Sequence, residues 1–156
     1  DISLDDKFYD NNFGLFVTLH KNGNLRGCIG LIEGIKPLRD GLIEMAEASA
    51  FEDRRFMPLE KDELEKIEIE ISILSPLEKI DNWQNIIPGK HGVVISDGFR
   101  QAVFLPQVAT EQNWDLETML ENLSLKAGLN SNGYKNENME FKVFTANVFS
   151  ENDFNN

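Results

Sequence analysis

Asn22-Gly23 separates two β-rich runs, Phe13 to Lys21 and Asn24 to Ile32. Both residues tolerate positive φ, which a type I′ turn demands at its two central positions, so the chain is expected to double back here as an antiparallel hairpin. With Asn22 and Gly23 as the loop, Lys21 would face Asn24, Leu19 would face Arg26 and Val17 would face Cys28. Arg26 and Cys28 then share one face, and Phe16, Leu25, Ile29 and Leu31 belong to the other. Apolar residues on both sides predict a hairpin covered on each. A slip of one residue would reverse the assignment.

The rest of the chain alternates helix-period and strand-period text. Pro37 to Glu52 places Leu38, Leu42, Met45 and Ser49 on one stripe beside the small residues Ala46, Ala48 and Ala50, as a packed helix requires. Phe51 to Pro58 reads as an ordered, charged loop leaving that helix. In Ile67 to Leu74, isoleucine at 67, 69, 71 and 73 alternates with Glu68, Glu70, Ser72 and Leu74, a strand with its carboxylates mostly in water. Asp81 to Lys90 is expected to be a loop with room for a helical turn, since Pro88-Gly89 is a breaker pair. His91 to Ser96 and Phe99 to Leu105 form a second hairpin around Asp97-Gly98, with His91, Val93 and Ile95 on one face. Leu116, Met119, Leu120, Leu123 and Ala127 fit an amphipathic helix starting near Asp115, with Gly128 as its left-handed stop and Lys126 near its negative end. Asn130 to Asn138 is expected as a surface loop, Phe141 to Phe149 as a last strand, and the Asn-rich tail as frayed. Strands separated by helices, with two hairpins, predict an α+β fold with a largely antiparallel sheet and flanking helices.

A length of 156 residues, 41% of them hydrophobic, suits one domain with a proper core. The formal net charge of −12 disfavours generic nucleic-acid binding, which rests on Lys and Arg displacing counterions. One cysteine forms no internal disulfide, and no apolar run approaches the roughly 18 residues of a membrane span. These features fit a soluble protein of a reducing compartment. The chain opens at Asp1 with neither a signal-peptide pattern nor an initiator Met, which leaves targeting open.

Leu25-Arg26-Gly27-Cys28-Ile29-Gly30 is the most unusual segment, because two glycines interrupt a strand just where a thiol sits. Such glycines permit a bulge or the close approach of a backbone or ligand. An Arg on the cysteine's face would stabilise the thiolate and lower its pKa from about 8.5. The bland alternative is a small buried hydrophobe, with glycines making room for a neighbouring helix. A nucleophilic thiol needs a base. His20 sits beside the turn, exposed and pointing away from Cys28, so His91 is the better candidate. Asp53, Arg54 and Arg55 form either an anion site or a surface ion-pair network. Glu111 and Trp114 either line a binding site or serve as a helix-terminal acid and a packed aromatic. One Cys and two distant His make no zinc pattern, and no phosphate loop, dinucleotide fingerprint or serine elbow is present, so neither metal nor cofactor is expected.

From Phe13 to Glu151 the chain resembles the AMMECR-type domain family, also called AmmeMemoRadiSam system protein A. The resemblance is carried by motifs in order: Phe16-Val17-Thr18-Leu19 and Leu25-Arg26-Gly27-Cys28-Ile29-Gly30; Ala50-Phe51-Glu52-Asp53 with Arg55-Phe56; Ile69 to Leu74; His91-Gly92; and Phe104-Leu105-Pro106 through Trp114 to Lys126-Ala127-Gly128. It departs at Arg54, where the family commonly has proline, at Gln107 for glutamate and at Asn113 for glycine. The family's preceding N-terminal helix is largely absent. The resemblance implies one domain over residues 1–156, made of two intertwined lobes around a cleft bordered by the Arg-Gly-Cys motif, in a cytoplasmic protein. Members occur beside a Memo-like protein and a radical S-adenosylmethionine protein, which implies a partnership. If the protein is an enzyme, Cys28 would be nucleophile or redox-active thiol and His91 its base. Arg26 and Arg55 would then orient an anion, and Gly27, Gly30, Asp53, Glu111 and Trp114 would line the site. The substrate would be a small molecule, a peptide or an RNA base. The rival reading is a non-catalytic protein–protein interaction module with an acidic docking surface.

Overall fold

The computed structural model describes residues 7–154. The ends, including the Asp1 start and the last two residues of the Asn-rich tail, lie outside the described residues. In chain order the elements are β1 (Gly14–Lys21), β2 (Asn24–Leu31), α1 (Leu38–Phe51), β3 (Ile67–Leu74), β4 (Glu78–Ile80), β5 (Gly92–Ser96), β6 (Gln101–Phe104), α2 (Pro106–Glu111), α3 (Leu116–Lys126), β7 (Glu140–Phe144) and β8 (Ala146–Ser150). Two four-stranded sheets have the orders β2-β1-β3-β8 and β4-β7-β5-β6, and the registers of β1 with β2 and β3 and of β7 and β5 with their neighbours are all antiparallel. This is the expected α+β class. The chain divides into two compact units, residues 1–76 with 147–156, and residues 77–146.

In the first unit α1 lies on one face of the β1 sheet. Leu15, Val17 and Leu19 alternate along β1 and are buried with Leu38, Met45 and Ala48 of α1. Asn22 and Gly23 have φ of 52° and 77°, the left-handed pair that the turn requires. The pairing beyond the turn corrects the expected register. Lys21 faces Asn24 and His20 faces Leu25, but Leu19 then faces Gly27 and Thr18 faces Cys28. Arg26 is the extra residue of a β-bulge, which moves every later β2 residue by one and so to the other face. Ile29 therefore pairs with Val17 on the helix side, while Phe16 pairs with Gly30 on the opposite side. β3 keeps its expected bounds and pairs with β1 without a break. Its polar face is not mostly in water: Ser72 is fully buried, and Glu68 accepts from Ser150 Oγ at 2.8 Å and Asn152 Nδ2 at 2.6 Å.

The second unit has its own core, built on Val93, Ile95, Met119, Leu120, Leu123, Tyr134 and Phe141. α3 follows the sequence closely: Asp115 caps it by accepting from Thr118 N–H at 2.8 Å, and Gly128 ends it at φ 79°. Lys126 stands in its last turn as expected, and its Nζ donates to Val103 O at 2.8 Å and lies over the Phe104 ring.

Four other expectations need correction. Ser96 pairs with Gln101, so Asp97 to Arg100 is a four-residue loop rather than a two-residue turn. Its cause is the Asp97 carboxylate, which gathers the N–H groups of Phe99 and Arg100 at 3.0 and 2.7 Å. The 130–138 segment is not all surface, since Tyr134 is buried edge-on against Trp83. The last expected strand divides around Thr145 into β7 and β8, which join different sheets. The tail is ordered through Phe154: Glu151 Oε2 accepts from Ile69 N–H at 3.0 Å, tying it to β3. Pro106–Glu111 forms a short helix that periodicity did not reveal, because six residues hold too few repeats.

Candidate functional site

β2 is an edge strand, so alternate N–H and C=O groups along it have no neighbouring strand to pair with. At Cys28 the loop after α1 supplies the partners. Cys28 N–H donates to Asp53 Oδ2 at 3.0 Å, and Cys28 C=O accepts from Arg55 Nη2 at 3.4 Å. Asp53 and Arg55 are themselves joined in a fork, Nε to Oδ1 at 2.9 Å and Nη2 to Oδ2 at 2.6 Å, with Arg55 N–H also on Oδ1 at 3.2 Å. The Arg55 guanidinium holds the Asp53 carboxyl down at about 2, helped by the Cys28 and Arg55 amides against the opposing effect of burial. Asp53 in turn raises the Arg55 pKa, against the opposing effect of burial.

The thiol has its own partner. Cys28 is a half-buried thiol in no disulfide, and its Sγ accepts from Thr18 Oγ1 at 3.2 Å. The same alternation places Thr18, His20, Glu68, Glu70 and Ser72 on the face of β1 and β3 that carries Cys28. His20, expected to point away from Cys28, thus shares its face, because the bulge at Arg26 turned Cys28 over. Thr18 is not a site residue that the sequence marks, and His20 is one that the unbulged register sets aside; the signal missing in both cases is the bulge.

Gly27 and Gly30 have packing reasons. A Cβ on Gly27 would lie 2.1 Å from the Ser49 carbonyl oxygen of α1, and one on Gly30 would lie 2.3 Å from both Leu15 O and the Phe16 ring. Close approach of α1 allows Ser49 Oγ to bridge the strands: it accepts from Ile29 N–H at 2.9 Å and donates to Val17 C=O at 2.7 Å. Ser49→Ala leaves both backbone groups short of a partner in a buried place. It should cost about 2 kcal/mol in urea unfolding; a loss under about 0.5 kcal/mol would mean that the strands pair directly once the hydroxyl is gone.

Arg26 does not serve the thiol as expected. Its guanidinium forms a fork with Glu63, Nε to Oε1 at 3.0 Å and Nη2 to Oε2 at 2.8 Å, and only 14% of the side chain is exposed. Lys21 Nζ joins the same carboxylate at 2.7 Å. Arg26 thereby holds Glu63 well below the usual carboxylate range, assisted by the Glu60 amide and Lys21. Phe56 lies between the two ion pairs, with the Arg26 and Arg55 guanidinium carbons 5.9 and 5.5 Å from its ring centroid. Arg54 is exposed.

His91, Glu111 and Trp114 belong to the second unit. His91 closes the Pro88-Gly89-Lys90 turn: its N–H donates to Ile87 C=O at 2.9 Å, and its Nδ1 accepts from Ile87 N–H at 3.1 Å. An amide can only donate, so the neutral ring carries its proton on Nε2. Burial lowers the His91 pKa, Lys90 adds to this and Glu78 opposes it, which favours the neutral ring. Nε2–H is then a donor, and this arrangement does not present a general base. Trp114 packs against the second core with its ring centroid 5.8 Å from Phe104. Glu111 is exposed at the end of α2. No group of three or more potential metal ligands occurs among the described residues. No helix among them is long and apolar enough to cross a membrane.

Residues 2–149 match the AMMECR1 family. A protein of Methanothermobacter thermautotrophicus is 42% identical over 144 residues, 88% of this chain and 75% of that protein. One of Aquifex aeolicus is 37% identical over 150 residues, 92% of this chain and 77% of its own. The crystal structure of an uncharacterised protein from Pyrococcus horikoshii superposes with a TM-score of 0.91 at 33% identity, covering 97% of this chain and 80% of that one. The departure at Asn113 also has a local explanation: its φ is 55°, a conformation that glycine adopts freely and asparagine tolerates. By the match over residues 2–149, by the identity and coverage of its relatives and by its fold, this chain belongs to the AMMECR1 family.

Proposed function

We propose that the protein binds a small molecule, peptide or modified base at Cys28 and that the Cys28 thiol reacts with or directly contacts it. What carries this reading is that three side chains from two other elements are committed to one half-buried cysteine: Thr18 to its sulfur, Asp53 to its N–H and Arg55 to its C=O. Two of these contacts complete the edge-strand backbone around Cys28, and the hydroxyl on its sulfur is the one that a small buried hydrophobe would not need. A hydroxyl donor at sulfur and a guanidinium in electrostatic reach both favour thiolate over thiol. The reading rests on the first unit alone. Arg26 is neutralised by Glu63, His91 is tied into its own turn, and no chemistry is assigned to Glu111 or Trp114. A cytoplasmic setting, and action beside a Memo-like and a radical S-adenosylmethionine protein, complete the proposal on the strength of family membership.

Alkylation of Cys28 by iodoacetamide across pH, with the urea-unfolded chain as reference, tests it. The native thiol should label readily and keep reacting below the pH at which the unfolded thiol, with its ordinary pKa of about 8.5, slows down. Labelling only on unfolding would make Cys28 a packing residue and would favour the interaction-module reading.

A further inference from the structure

Of the two arginines near Cys28, one is closed to a ligand and one is open. Arg26 has Nε and Nη2 on Glu63, a further contact from Nη2 to Pro58 C=O, and little exposure. Arg55 has 56% of its side chain exposed. Its Nε and Nη2 are held by Asp53 and Cys28 C=O, and Nη1 donates to none of the described residues. The Asp53 fork, the Phe56 ring and the Cys28 carbonyl fix the plane of this guanidinium from three directions, so its outer edge is already oriented. A group preorganised in this way loses little side-chain entropy when it binds, and the N–H groups of Nη1 are left to donate to an oxygen of a carboxylate or phosphate.

We propose that the ligand taken at Cys28 carries an anionic group, a carboxylate or a phosphate, received by the outer edge of Arg55 while the part to be recognised or attacked lies against the thiol. This rests on the reading of Cys28 as an accessible, reactive thiol. The arrangement divides the work: Asp53 holds Arg55, Arg55 holds the anion, and Thr18 holds the sulfur. With a net charge of −12, the chain as a whole repels anions. A preference for an anionic reagent therefore runs against the overall field and must come from a local group.

Two reagents with the same leaving group separate this inference from the reading beneath it. In both, the Cys28 thiolate forms a bond to the methylene carbon as the carbon–iodine bond breaks and iodide leaves; iodoacetate carries a carboxylate where iodoacetamide carries a neutral amide. Any change in thiolate fraction alters both rates alike, so their ratio reads the charge that the reagent meets, the attraction of Arg55 set against the repulsion of the chain. The iodoacetate-to-iodoacetamide ratio for the native protein should exceed that for the urea-unfolded chain by about tenfold, as a charge-assisted contact gives. The excess should shrink as salt is added. Arg55→Gln should abolish it, and Arg55→Lys, which keeps the charge but not the fork, should retain only part of it. If Arg55→Gln does not fold, the wild-type ratio and the lysine variant decide. Ready iodoacetamide labelling with a native ratio at or below the unfolded one would overturn the anionic ligand and leave the reactive thiol standing. Failure of both reagents on the native protein would overturn both.

Discussion

Gly27→Ala is expected to destabilise the protein by about 3 kcal/mol, near the upper end for an overpacked site. The new Cβ would sit 2.1 Å from the carbonyl oxygen of Ser49 and 3.1 Å from its carbonyl carbon. Both atoms are helix backbone, so no rotamer change relieves the contact. α1 must lift away from β1 and β2, which opens the packing of Leu38, Met45 and Ala48 on Leu15, Val17 and Leu19 and withdraws the Ser49 hydroxyl from its two strand partners. In a chain of this size such a loss lowers the thermal midpoint by about 10 °C. Gly98→Ala is the matched control: no atom lies within 4 Å of its Cβ position, and only its φ of 92° is unfavourable, so its cost should be about 1 kcal/mol. Equal losses for the two substitutions would show that conformational freedom, and not the approach of α1, is what Gly27 supplies.

Removing the Asp53 carboxylate should have an effect of similar size and a distinctive pH dependence. The side chain is 5% exposed and accepts from Cys28 N–H and from three Arg55 groups. Asp53→Ala strands an edge-strand amide and frees a half-exposed guanidinium, at a cost of about 3 kcal/mol at neutral pH. Because the folded carboxyl titrates at about 2, chiefly through Arg55, while its ordinary value is 3.8, the unfolded chain takes up the proton first as pH falls. The carboxylate's contribution, on the order of 2 kcal/mol, is complete above about pH 4 and is lost as pH falls toward 2. Urea unfolding of wild type and variant at pH 7 and pH 2.5 should therefore show a large gap at the first and a much smaller one at the second. A gap independent of pH would mean that shape, not the ionised fork, is what Asp53 contributes. Loss of the fork should also slow iodoacetate at Cys28, since Arg55 would no longer be held.

Much of the framework was legible because its signals are local. Asn22-Gly23 sets a turn through its own backbone preferences, Asp115 and Gly128 bound α3 through their own hydrogen bond and φ, and the isoleucine alternation of β3 is a property of eight adjacent residues. Site residues were legible as types. The sequence marked Cys28 between its glycines, and Asp53 and Arg55 as a charged pair, without showing that the second pair completes the edge of the strand holding the first. Arg26 could not be separated from Arg55, because its partner Glu63 is 37 residues away. The bulge at Arg26 was likewise invisible. It depends on Glu63 receiving that guanidinium and on Ser49 pressing against Gly27, contacts made by chain segments brought together only on folding. Yet the bulge decides which face of β2 the thiol occupies. By itself the sequence determined which segments are strands and helices and which residue types are available for chemistry, because those follow from neighbours along the chain. The tertiary structure alone decided register, facing and pairing, because a period of two lets one inserted residue exchange the faces of a strand, and a charge takes the partner that folding puts within reach.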